Sequence, residues 1–204
     1  RPGGFSAQGI SPGERGARLT EGVQIVQRLL RGESVTTDGR FSQLTDVQIS
    51  PPALQLPHPP IWLGALAPKA IERAARLGFH YQSVGPSELN AIYDEALVKH
   101  GRRPEDFQIA QARAVYVAPS REQAWEIAAK PLHYMTEQYL RWFAEAADRS
   151  GSDAAENTLP SVDDMIRTQH FDFLGEDAIV GTPKDAVEMI AEYRTRGRMT
   201  HFVC

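Results

Sequence analysis

Pro60-Ile61-Trp62-Leu63-Gly64-Ala65-Leu66-Ala67-Pro68-Lys69-Ala70-Ile71-Glu72-Arg73-Ala74-Ala75-Arg76-Leu77-Gly78-Phe79-His80-Tyr81-Gln82-Ser83-Val84 decides the fold class. Pro60 to Gly64 is a short apolar run, which reads as a buried strand. Pro68 suits the first turn of a helix whose Ala70, Ile71, Ala74 and Ala75 fall on one face, and Gly78 stops it. Phe79 to Val84 is a second strand. Outward from there, a helix begins near Pro86, turns Leu89, Ile92, Tyr93, Ala96 and Leu97 to one side and stops at Gly101. Gln108 to Val117 reads as a third strand, rich in apolar and β-branched residues. Ser120-Arg121-Glu122-Gln123 is a capping box that opens another helix.

Residues 130–178 break this rhythm and read as an insertion or lid. They hold an aromatic helix with His133, Tyr134, Tyr139, Trp142 and Phe143, a polar stretch from Ser150 to Thr158 around Gly151, and a short helix near Val162. Thr182-Pro183 caps a further helix with Ala186, Val187, Ile190 and Ala191 inward, and Thr200 to Cys204 is the last strand. On the N-terminal side, residues 1–13 read as a loop, Leu19 to Leu30 as a helix, and residues 33–60 as an irregular connection with a tight turn at Gly39 and a run of prolines. Strands alternating with helices imply an α/β fold with parallel pairing. Two architectures fit, a doubly wound sheet or part of a (β/α)8 barrel. Four strands cannot close a barrel, which takes about 250 residues.

The composition is that of an ordinary globular chain: hydrophobic residues make up 42% and charged residues 24% of 204. A net charge of -4 argues against a nucleic-acid partner. The lone Cys204 precludes a disulfide framework and fits a reducing, cytoplasmic setting. No apolar run is long enough to span a membrane. No histidine or cysteine pair has metal-ligand spacing, so no metal is expected. Both ends read as cut, since the chain begins at Arg1 and stops inside the apolar run Phe202-Val203-Cys204.

Three segments resemble the luciferase-like, flavin-dependent monooxygenase family. They are Glu14-Arg15-Gly16-Ala17-Arg18-Leu19-Thr20-Glu21 with the helix after it; His58-Pro59-Pro60-Ile61-Trp62-Leu63-Gly64 continuing to Gly78; and Gly181-Thr182-Pro183, a helix, then Thr200-His201-Phe202. The resemblance covers nearly the whole chain and implies strands five to eight of the barrel, with residues 1–204 as the C-terminal part of one barrel domain. It also implies that reduced FMN, or a deazaflavin coenzyme in the related hydride-transfer enzymes, binds through Arg15, Gly16, Gly64, Ala65, Leu66 and Ala67. Further implications are O2 and a small organic substrate as reactants, and a separate flavin reductase as partner. The family often places a second glycine and serines after its strand-end glycine; here Ala65, Leu66 and Ala67 supply no hydroxyl.

The residues themselves leave choices open. A glycine at a strand end before a helix N-terminus lets an anion approach backbone amides, but it also serves an ordinary tight turn. Arg15 and Arg18 are equally available beside their helix, and the resemblance favours Arg15. His80 and Tyr81 face opposite sides of their strand. Trp62, Tyr81, His133, Tyr134 and Trp142 are the candidates for an apolar substrate pocket, with a satellite core as the other reading of the insertion aromatics. Catalytic residues are expected on barrel strands outside these residues. With open sheet edges, the chain alone is expected to be inactive and to associate with itself. A non-catalytic flavin-binding relative and an inactive gene product are the remaining readings.

Overall fold

The computed structural model describes residues 2–150 and 159–204. The chain divides into two compact units, Arg1–Ile61 and Trp62–Cys204.

The first unit holds α1 (Pro2–Ala7), a 3-10 turn at Pro12–Glu14, α2 (Arg15–Leu30) and an antiparallel hairpin of β1 (Val35–Asp38) and β2 (Gln43–Val47). Two expectations fail here. Residues 2–7 form a helix rather than a loop, because Pro2 presets the first-turn geometry despite two glycines behind it. Residues 35–47 form a hairpin rather than an irregular connector. Val35-Thr36-Thr37 and Leu44-Thr45 are strand formers on either side of a turn, and the prolines begin only at Pro51. In that turn the Gly39 N–H donates to the Ser42 carbonyl at 2.9 Å. A Cβ on Gly39 would lie 2.6 Å from Glu21 Oε1, the oxygen that accepts the Phe41 N–H at 3.0 Å. A side chain at this position would push that carboxylate away from the Phe41 N–H.

The second unit runs β3 (Trp62–Gly64), α3 (Pro68–Leu77), β4 (His80–Ser83), α4 (Leu89–Lys99), β5 (Ile109–Ala112), β6 (Val115–Val117), α5 (Arg121–Ser150), α6 (Val162–Thr168), β7 (Ile179–Gly181), α7 (Pro183–Arg196) and β8 (His201–Val203). A four-stranded parallel sheet has the order β3-β4-β5-β8, and β6 pairs in parallel with β7. This α/β sheet is part of a (β/α)8 barrel. One strand was expected from Gln108 to Val117. Two are present, because the chain changes partners at Arg113-Ala114: β5 lies between β4 and β8, whereas β6 leaves to pair with β7.

Helices α3 and α4 cover one face of the sheet. Ile71, Ala74, Ala75, Tyr93, Ala96 and Leu97 pack there with Tyr81 and Ile109. Each fully buried large side chain contributes about 1.5–3 kcal/mol. Gly78 ends α3 at φ 73°, and the N–H groups of Gly78 and Phe79 return to the carbonyls of Ala75 and Ala74. Helix α5 continues unbroken through Pro131 to Ser150, past the boundary expected near residue 130. Pro131 is exposed, so water can satisfy the carbonyl its missing N–H leaves free. Trp125, Leu132, Met165, Phe171, Ala178 and Val180 form a second core that joins α5 to α6 and the β6–β7 pair. Val187 and Ala191, expected inward on α7, are exposed, Val187 at 68%; Ala186 and Tyr193 are the buried positions. The polar stretch around Gly151 lies outside the described residues. Among the described residues no helix is long and apolar enough to cross a membrane.

Candidate functional site

Strand β3 delivers a corner at its C-terminal end, the end that carries chemistry in a (β/α)8 barrel. Gly64 is exposed, and a Cβ built on it would meet nothing nearer than the Gln82 carbonyl oxygen at 4.0 Å. A ligand can therefore approach this backbone closely. The Tyr81 hydroxyl donates to the Ala65 carbonyl at 3.0 Å and holds the turn from behind. Leu66 turns inward: a Cβ on Gly85 would come within 2.8 Å of Leu66 Cδ2 and of Leu89 Cδ1, so that glycine makes room for both. Ala67 is extended, and its carbonyl accepts from Ala70 and Ile71 at 2.8 and 3.1 Å. No side chain caps α3. An open glycine before a helix N-terminus that no side chain caps suits an anionic group such as a flavin phosphate, held by backbone amides and the helix dipole. The residues present fit that group without any hydroxyl from Ala65, Leu66 or Ala67.

Arg15 and Gly16 open α2 in the first unit. The structure separates the two arginines that the sequence left equivalent. Arg18 pairs with Glu14 at 3.1 Å and lies 4.4 Å over the Phe41 ring. Arg15 is exposed and has no ion-pair partner among the described residues.

Strand parity assigns the other candidates. Tyr81 points toward α3 and α4, is fully buried, and stacks on Tyr93 at 5.2 Å. Burial raises its phenol pKa. Tyr81 therefore supports the corner from the helix side. Trp62 and His80 take the opposite face. Trp62 stands at the first residue of β3, away from the strand's C-terminal end, packed against His80 at 4.9 Å and His201 at 5.3 Å. His80 Nδ1 accepts the Gln108 backbone N–H at 3.1 Å, so the neutral ring carries its proton on Nε2. Burial, and then the neighbouring His201, lower the His80 pKa.

The insertion candidates divide. Tyr134 is 64% exposed and His133 is half-buried, and neither is on the wall of the cavity beside their helix. Trp142 stacks on Tyr139 at 5.2 Å. A cavity of about 650 Å³ does exist between α5, α6 and residues 170–175, but Tyr139, Phe143, Phe171 and Phe173 face it instead. Tyr139 and Phe143 sit one helical turn apart on the inward stripe, which His133, Tyr134 and Trp142 miss. Phe171 and Phe173 escaped the sequence reading; the Phe171-Asp172-Phe173 alternation was the signal.

A buried polar network was also missed. Glu176 accepts from the Ser87 N–H at 2.8 Å and its hydroxyl at 2.7 Å, from Arg113 at 3.2 Å and from Arg196 at 3.0 Å. It fixes the loop after residue 170 onto Gly85-Pro86-Ser87, which follows β4. Gly175 lies so close to Pro86 that a Cβ would be 2.7 Å from its Cγ. The cavity wall thus meets the same loop that touches Leu66 at the corner. The sequence signal was a carboxylate just before the apolar run Ala178-Ile179-Val180.

The model of the luciferase-like monooxygenase family matches residues 2–200. The oxygenase component of flavin-dependent trigonelline monooxygenase from Acinetobacter baylyi is 27% identical over 199 residues, which cover 93% of this chain and 53% of that protein. The chain thus spans about half the length of that curated relative. Two solved structures share the fold at 16% identity. The oxygenating constituent of 3,6-diketocamphane monooxygenase from the CAM plasmid of Pseudomonas putida, in complex with FMN, has a TM-score of 0.67, covering 100% of this chain and 61% of that one. Coenzyme F420-dependent tetrahydromethanopterin reductase from Methanopyrus kandleri has a TM-score of 0.66, covering 91% and 56%. With its parallel sheet and strand-end corner matched along nearly its full length, the chain belongs to the luciferase-like monooxygenase family.

Proposed function

We propose that these residues form the phosphate-binding part of a flavin-dependent monooxygenase that uses reduced FMN and O2 to oxidise a small organic substrate. The observation that carries the reading is the open corner from Gly64 to Ala67, where a ligand's anionic end meets backbone rather than side chains. In this reading Gly64, Ala65, Leu66 and Ala67 hold the phosphate. Bound reduced flavin would supply the activation of oxygen; the chain's own part is to hold the cofactor and keep water from it. A corner without hydroxyls suits a cofactor that is exchanged rather than stored, which fits supply by a separate flavin reductase. The relative from Acinetobacter, named an oxygenase component, supports that arrangement. Leu54 and Leu56, 99% and 88% exposed, favour a homo-oligomer in which a second copy covers them.

The competing reading is a deazaflavin-dependent oxidoreductase that moves hydride without oxygen, favoured by the fold shared with a coenzyme F420-dependent reductase. Titration of the full-length protein with reduced FMN and, separately, with coenzyme F420, followed by oxygen-consumption assays with candidate substrates, separates the two. Tighter binding of FMN and substrate-dependent oxygen uptake are expected. Preference for coenzyme F420 with no oxygen uptake would replace the first reading by the second.

A further inference from the structure

The cavity of about 650 Å³ in the second unit has an unusual wall. Tyr139, Phe143, Phe171 and Phe173 present four aromatic rings, with Tyr139 and Phe173 edge to face at 5.4 Å and Tyr139 and Phe143 at 6.1 Å. The charged side chains on the wall are Asp164 and Asp172; among the described residues no lysine or arginine lines it. Asp164 is paired outward with Arg167 at 2.8 Å and with the Ser161 hydroxyl. Among the described residues the exposed Asp172 accepts from the Gly175 backbone N–H alone, at 2.8 Å, and its charge meets no cation. The histidine on the wall, His170, is turned to Asp177 at 2.9 Å. An aromatic wall can offer ring faces to a cation, a carboxylate without a counter-ion among the described residues is negative, and both favour a positively charged organic group over a neutral one of the same shape. An anion would meet repulsion from both.

We infer that this cavity receives the cationic part of an organic molecule, a quaternary or protonated nitrogen bearing a ring or alkyl groups. The inference rests on the proposed oxygenase reading for its biological role, because the cavity wall continues through Gly175, Pro86 and Gly85 to Leu66 at the corner. A substrate seated here extends toward the strand ends where the cofactor would lie. The cation preference itself rests on the wall alone.

Isothermal titration calorimetry on the full chain without flavin tests it, with phenyltrimethylammonium, its neutral isostere tert-butylbenzene, and benzoate as probes. The cation should bind about tenfold or more tightly than the isostere, and benzoate least of the three. Asp172→Asn keeps the oxygen that accepts the Gly175 N–H and should cut the preference to about threefold or less. Phe143→Ala, at a position 39% exposed, should weaken the cation with little change in melting temperature. Equal binding of cation and isostere, preference for benzoate, no binding by the folded protein, or an undiminished preference in Asp172→Asn would each overturn the inference. FMN titration of the same samples keeps the two readings apart. Cation binding without flavin binding sinks the oxygenase reading and leaves the cavity's specificity standing; flavin binding without cation preference does the reverse.

Discussion

Arg113 and Glu176 form a buried ion pair, with guanidinium Nη2 3.2 Å from carboxylate Oε1 and the side chains only 3% and 4% exposed. The pair ties the end of β5 to the loop that walls the aromatic cavity. Removing Glu176 leaves the Arg113 charge buried without a carboxylate, whereas Glu176 without Arg113 would keep Arg196. Glu176→Gln should therefore destabilise the protein by about 3 kcal/mol, measured by urea denaturation. Replacing both partners, with Arg113→Met added, should cost clearly less than the two single changes summed.

At the corner, stability and ligand binding should separate. Gly64 has open space around it and a backbone that any residue can adopt, so Gly64→Val should alter stability by no more than about 0.5 kcal/mol. Its isopropyl group occupies the approach to the backbone, so reduced-FMN affinity should fall about tenfold or more. Unchanged flavin affinity in a folded variant would remove Gly64 from the site.

His80 predicts a pH dependence. Its folded pKa lies below that of the unfolded chain, about 6.5, so the native ring stays neutral where the unfolded one is already protonated. The unfolded state then binds more protons, and stability rises with pH across this interval. The contribution is complete above about pH 6.5 and is lost as pH falls toward the folded pKa. Melting temperatures at pH 7.5 and 5.5 should differ less in His80→Gln, whose amide oxygen can still accept the Gln108 N–H.

Thr182 and Asp185 cap α7 reciprocally. The Thr182 hydroxyl accepts the Asp185 N–H at 3.3 Å, and the Asp185 carboxylate accepts the Thr182 N–H at 2.8 Å. Arg121, then the Thr182 N–H and hydroxyl, hold the Asp185 carboxyl far below the usual carboxylate range. Thr182→Ala should cost about 1 kcal/mol in thermal or chemical unfolding.

The local rules were legible in the chain. Pro68 and Gly78 bracket α3, Ser120 and Thr182 start their helices, and the strand-end glycine with its flanks carried the family. Each is a matter of neighbours within a few residues, where backbone sterics and capping hydrogen bonds act. The hairpin of β1 and β2 was equally local and was passed over because prolines further along coloured the whole stretch.

By itself, then, the sequence determined the α/β alternation, the family and the position of the corner at Gly64. Only the tertiary structure decided which side of each strand faces the helices. Period-two alternation puts His80 and Tyr81 on opposite faces but cannot say which face is covered. That is settled by packing against Ile71, Tyr93 and Leu97, and it puts Tyr81 on the helix side, behind Ala65. The change of partner at Arg113, the burial of Glu176 and the four rings of the cavity depend likewise on residues tens of positions apart. Such pairings are selected by the burial and charge compensation of the assembled fold, which no window of sequence contains.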